Sequence, residues 1–107
     1  MDGTDKTYGV IISDSAAEML VAHARFAVLV SEETAQRLIE EFEEKTKSLE
    51  TLPERNPWLD DPLIPKRKYR KLLLAKRYLF IYQLKGGTVY VDAVVDCRQD
   101  YSWLLQK

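Results

Sequence analysis

Residues 66–77 concentrate the clearest capacity for chemistry in this sequence. The segment Lys66-Arg-Lys-Tyr-Arg-Lys-Leu-Leu-Leu-Ala-Lys-Arg77 holds seven bases and no acid. Guanidinium and ammonium groups at this density attract phosphates and carboxylates, and the arginines add a fork that bonds such anions through two N–H groups at once. In extended backbone, side chains two apart project to the same side, so Lys68 and Arg70 are spaced as a phosphate clamp. Lys66, Lys68, Lys71 and Arg77 are the candidate contacts to a nucleic acid or another anionic target. Two further readings stay open: contact with an acidic protein segment, and a solvated edge strand whose lysines block sheet-to-sheet aggregation.

Elsewhere the reactive residue types are isolated. His23 is the single histidine and sits between Ala22 and Ala24, which favours a structural or exposed role over catalysis. Cys97 is the single cysteine, so an internal disulfide and a multi-cysteine zinc site are excluded, and a small half-buried residue is expected. No metal or cofactor is called for. Lys85-Gly-Gly-Thr88 is too short for a phosphate-cradling loop and joins strand to strand. Arg98 lies beside Asp92, Asp96 and Asp100, where a local ion pair is the plainer expectation. Trp58 and Trp103 read as packing anchors before stacking platforms.

The elements that must position these residues follow from periodicity. Tyr8–Ser13 is a short strand. Ser15 and Glu18 fit a capping box, after which Leu20, Ala24, Ala27 and Val28 recur at helical spacing to about Val30. Ser31-Glu-Glu fits a second N-cap. Ala35, Leu38, Ile39, Phe42, Thr46 and Leu49 then mark one narrow apolar face, giving a helical hairpin that Pro53 ends. The proline-rich stretch 53–65 reads as an ordered loop anchored by Trp58 and Leu63. Tyr69–Leu74 is a strand, Ala75-Lys-Arg a hairpin turn, and Tyr78–Leu84 a strand with alternating faces. Beyond the glycine turn, Val89, Val91, Ala93 and Val95 share one strand face, with Tyr90, Asp92, Val94 and Asp96 on the other.

Composition bounds the rest. The 107 residues include 16 Lys+Arg and 17 Asp+Glu, for a net charge of -1. Residues 1–65 hold 14 acids against 6 bases, so the near-neutral total hides an acidic body with one basic stripe. That disfavours bulk nucleic-acid binding and leaves a local anion site open. One domain over residues 1–107 is expected. No apolar run approaches the ~20 residues of a membrane span, and no membrane role is expected. The polar start is unlike a signal peptide, so the cytoplasm is the expected location.

The order strand–helix–helix–strand–strand–strand resembles the RelE/ParE superfamily of bacterial type II toxins, also called plasmid stabilisation proteins. The resemblance rests on Leu49-x-x-x-Pro53, Tyr69-Arg70, Tyr78-Leu-Phe-Ile-Tyr82-Gln-Leu, the glycine turn, and Asp96-Cys-Arg98-Gln-Asp100-Tyr101. It covers about residues 7–103. It implies an α+β fold: a helical hairpin packed on a small, mostly antiparallel four-stranded sheet. It also implies a growth-inhibiting toxin held by a cognate antitoxin, with a heterotetramer as one expected assembly. The target it implies is DNA gyrase for the ParE-like branch, or the ribosome and its mRNA for the RelE-like branch.

The alternative reading is a ribosome-dependent mRNA endoribonuclease, and a third is a degenerate, non-toxic member of the family. Cleavage by 2′-OH attack needs a base, cations for the phosphorane, and an acid for the leaving oxygen. Under the resemblance, the catalytic set would be Arg70, Arg98 and Tyr101, with Lys66 and Lys68 as further cations and Asp96 or Asp100 as a base. Leu74 stands where the RNA-cleaving branch has an arginine, and Leu72 where it has a lysine. The nuclease reading therefore lacks two of its cations.

Overall fold

The computed structural model describes residues 7–97. Strand β1 (Gly9–Ile12) leads into helix α1 (Asp14–Val30) and helix α2 (Glu32–Leu49). A single turn of 3-10 helix (Pro53–Arg55) opens the long loop, and β2 (Arg70–Leu74), β3 (Tyr78–Lys85) and β4 (Thr88–Asp96) complete the described chain. The expected order and class are both present. No helix among the described residues is long and apolar enough to cross a membrane.

Helix α1 starts from Ser13, whose extended backbone and hydroxyl, accepting from the Ala16 amide at 3.0 Å, make it the N-cap. The expected cap at Ser15 is therefore displaced by two residues. The reason lies in the sheet: the Ser13 amide donates to Val91 O at 3.0 Å, so the chain leaves β1 and caps the helix at the same residue. Ser31 is the whole connection between the helices. Its amide closes α1 on Ala27 O, and its hydroxyl accepts from Thr34 N at 3.0 Å to open α2.

The sheet runs β1-β4-β3-β2, with β1 parallel to β4 and the other pairs antiparallel. The register shifts between Ile81 and Tyr82: Tyr82 faces Val91 while Ile81 faces Ala93, leaving Asp92 as the extra residue of a β-bulge. The bulge reverses side-chain parity along β4. Val89, Val91 and Val94 pack with Phe80, Tyr82, Leu20, Leu38 and Leu49 beneath the helices, whereas Ala93 and Val95 pack with Ile81 and Tyr69 on the opposite side. The expectation that Val89, Val91, Ala93 and Val95 share one face is thus overturned beyond Val91.

That second face is covered by the loop, through Leu59 and Ile64, both buried. Leu63, expected as an anchor, is exposed. Its amide donates to Asp61 Oδ1 at 2.8 Å, and the neighbouring Ile64 takes the buried position instead. Val28 and Cys97 are also exposed rather than packed.

Residues 92–96 of β4 extend past β1, which pairs only as far as Val91. Helix α1 takes over that edge: Ser13 Oγ donates to Asp92 O, and His23 Nε2–H donates to Val94 O at 2.8 Å. The His23 ring also lies 4.5 Å from that of Tyr78. His23 is therefore a structural donor, as its isolation in the sequence suggested.

The β2–β3 hairpin turns on Ala75 and Lys76, at φ 52° and 59°. Two successive left-handed residues give the turn whose twist matches a hairpin, but side chains with a Cβ are strained there. Helix α2 holds the turn, with Glu41 Oε1 accepting from Ala75 N at 2.9 Å. Replacing Lys76 by glycine relieves one strained residue, and we expect Lys76→Gly to stabilise the protein by about 0.5–1 kcal/mol. A denaturant midpoint equal to or below that of the parent protein would contradict this.

Candidate functional site

The structure disperses the basic stripe instead of presenting it as one surface. Arg70 opens β2, opposite Tyr82 and on the helix-facing side of the sheet. Its guanidinium donates to Glu54 O at 3.0 Å and Asn56 O at 2.6 Å, and lies 3.8 Å from the centre of the Trp58 ring. Lys68 lies over the Tyr69 ring instead, 5.3 Å from its centre. The two residues spaced as a clamp are thus engaged by different neighbours.

The other candidates are also separated. Lys71 is opposite Ile81, on the loop-covered side of the sheet, and its amide donates to Pro57 O. Arg77 follows the hairpin turn and forms an ion pair with Asp96, Nε to Oδ2, at 3.0 Å. Lys66 and Arg67 line a cleft in the loop beside Trp58. Arg98, Tyr101, Asp100 and Trp103 lie outside the described residues. Leu72 and Leu74 pair with Phe80 and Tyr78 and join the core beneath the helices.

Around Arg70 a polar network ties the loop to the sheet. The Tyr82 hydroxyl donates to Pro53 O at 2.6 Å and accepts from Asn56 Nδ2 at 2.9 Å. Burial raises the Tyr82 phenol above its ordinary pKa, against the lowering effect of the Asn56 hydrogen bond and the nearby Arg70 charge. On the other face, burial raises the Tyr69 phenol, and the Asp92 carboxylate pushes the same way. Both tyrosines therefore act as neutral hydroxyls at physiological pH. Among the described residues, no group of three or more His, Cys, Asp or Glu side chains is placed to hold a metal ion.

A different surface emerges on α1. Phe26, Val28, Leu29 and Val30 are 55%, 51%, 80% and 67% exposed, an apolar area left open among the described residues. Beside it, α1, α2 and the β2–β3 turn enclose a cleft of about 150 Å³ with Phe26, Val30 and Tyr78 as apolar walls and Arg37 and Arg77 as cations. The Arg77 guanidinium sits 5.9 Å from the centre of the Phe26 ring. Such a surface suits a segment carrying large apolar anchors with flanking carboxylates. Its signal was present in the sequence: Phe26-Ala-Val-Leu-Val30 is apolar without a break, more than one core-facing stripe requires.

Residues 10–101 match the family model described as the ParE toxin of type II toxin-antitoxin system, parDE. The fold is similar to that of a solved structure described as the chromosomal ParDE TA system from P. aeruginosa, with a TM-score of 0.67 and 18% sequence identity. That likeness covers 84% of this chain and 96% of the other. At this identity it is a likeness of fold. No curated protein matches the sequence.

Two outcomes test the network at Arg70. Arg70→Ala removes two carbonyl partners and the Trp58 stack, so it should destabilise the protein by about 2–3 kcal/mol and open the loop to proteolysis. Arg70→Lys should recover little of this, since an ammonium lacks the planar fork. Retained stability and protease resistance in Arg70→Ala would refute the role. The raised Tyr82 pKa gives the second. Its contribution is complete below the unfolded tyrosine value of about 10 and is lost as pH rises above it, because the unfolded chain ionises first. Unfolding measured between neutral and alkaline pH should therefore show stability falling above about pH 10, less steeply in Tyr82→Phe.

Proposed function

Because the chain belongs to the ParE toxin family of type II toxin-antitoxin systems, we propose that it arrests growth by binding DNA gyrase. We further propose that a cognate antitoxin silences it by covering the apolar surface of α1. The family match over residues 10–101 carries the first part of this reading.

The geometry supports binding over RNA cleavage. Leu74 is a buried core residue and Leu72 packs against the core, half-buried. Arg70 is committed to Glu54 O, Asn56 O and Trp58. Cations to stabilise a phosphorane would have to come from other positions. For the antitoxin, exposed Phe26, Val28, Leu29 and Val30 supply apolar anchorage, while Arg37 supplies charge for an acidic segment beside the Arg77–Asp96 pair.

The purified protein should block DNA supercoiling by gyrase and leave translation in a cell extract intact. Cleavage of mRNA on translating ribosomes, abolished by Arg98→Ala, would replace the gyrase reading with the nuclease one. For the antitoxin, the product of the adjacent reading frame is co-expressed with the toxin. Phe26→Asp with Leu29→Asp should then weaken the complex by about tenfold or more without unfolding the toxin, because both side chains are largely exposed. Unchanged affinity in a folded variant would move the docking surface elsewhere.

A further inference from the structure

The loop between α2 and β2 contains a second cleft, remote in character from the apolar surface of α1. Its volume is about 430 Å³, and it is lined by Trp58, Leu59, Asp60, Ile64, Lys66 and Arg67. The composition is uncommon for a surface loop: an indole 39% exposed, a floor of two buried aliphatic residues, two cations and one carboxylate.

The walls are held in place by hydrogen bonds. Leu59 N donates to Tyr69 O at 2.7 Å and Lys71 N to Pro57 O at 3.0 Å, so Trp58 is bracketed by backbone bonds to the start of β2. Arg70 covers one face of the indole and does not line the cleft, so it fixes the ring without occupying the space. On the other side, Ile64 N donates to Asp61 O at 3.0 Å, and Leu63 N donates to Asp61 Oδ1 at 2.8 Å. Arg67 sits at φ 60°, a left-handed conformation that disfavours any side chain with a Cβ. A glycine there would remove that strain, and a cation occupies the position instead. As at Ala75 and Lys76, the left-handed residue belongs to a turn, and here it fixes the direction in which the Arg67 side chain leaves the loop.

We propose that this cleft binds a nucleoside phosphate. The base lies against Trp58 and the Leu59–Ile64 floor, Lys66 and Arg67 hold the phosphate, and Asp60 accepts from an exocyclic amine of the base. Each part of the ligand meets a group suited to it: stacking for the ring, charge-assisted hydrogen bonds for the phosphate, and a carboxylate for an amino donor. A free nucleotide and a single-stranded nucleic acid share this chemistry. The site is separate from the antitoxin surface proposed above and does not depend on it.

The test uses the fluorescence of Trp58 in the full chain. The sequence has two tryptophans, so Trp103→Phe leaves Trp58 as the sole indole reporter. ATP and a ten-residue oligoadenylate RNA are titrated as probes. Saturable quenching is expected with at least one of them. Lys66→Ala combined with Arg67→Asn should weaken it by about tenfold or more, asparagine being chosen because it tolerates the left-handed backbone. Should that double variant fail to fold by circular dichroism, Lys66→Ala alone gives the comparison. Similar affinity for the two probes identifies a free-nucleotide site. Much tighter binding of the oligomer, with a steep loss of affinity as salt rises, identifies a site for a single strand. Absence of saturable quenching with both probes, or affinity unchanged in the folded variant, overturns the proposal.

Discussion

The outer edge of β4 is the constraint on which this molecule depends. Its carbonyls at Val91, Asp92 and Val94 all face away from β3, yet β1 reaches only to Val91. Unpaired carbonyls in the interior are costly, so the chain needs donors there that no strand provides. Ser13 supplies two, from its amide and its hydroxyl, and His23 supplies a third from inside the helix. One serine thereby ends a strand, starts a helix and closes a bulge. The orientation of α1 follows from these contacts: Leu20 and Ala27 turn inward, and Phe26, Val28, Leu29 and Val30 are left outside.

The loop after α2 solves a comparable problem on the opposite face. An open sheet with helices on one side leaves its other side wet unless something covers it. Here Leu59, Ile64 and Tyr69 cover Ile81, Ala93 and Val95. Arg70, at the start of the edge strand, ties the loop down through two of its carbonyls and the Trp58 indole. A residue that looks from its neighbours like an anion binder thus spends its charge on backbone oxygens. The division of the stripe follows the same logic, with Arg77 drawn to Asp96 and Lys66 and Arg67 left at the loop cleft.

Much of this architecture was legible in the sequence because it is local. The Ser31 cap, the amphipathic face of α2, the alternation in β3 and the two hairpin turns each depend on residues within a few positions of one another. What the sequence left hidden depends on distant partners. The bulge at Asp92 has no glycine to announce it and reverses the faces of β4. The α1 cap moved to Ser13 because Val91 lies across the sheet. The occupation of Arg70 is set by carbonyls 14 and 16 residues earlier. Spacing groups Val28 with Leu20, Ala24 and Ala27 but cannot say where a helix runs out of sheet to cover, and Val28 is exposed. Lys66 and Trp58 were visible as residue types, but only the folded loop places them on one cleft.

The pairing of β1 with β4 also bears on when the domain can fold. It joins the two ends of the described chain, with Ser13 bonding Asp92 across 79 residues. Contacts of such sequence separation form late, after the entropy of closing a long chain has been overcome. On the ribosome, the central strand β4 is synthesised last among the described elements, and without it β1 has no neighbour and His23 has no carbonyl to bond. Until then the nascent polypeptide can form the helical hairpin but not the sheet beneath it. Translation that stops before Thr88 would release a product without this fold. Folding of this domain on the ribosome therefore waits for the last of its described strands.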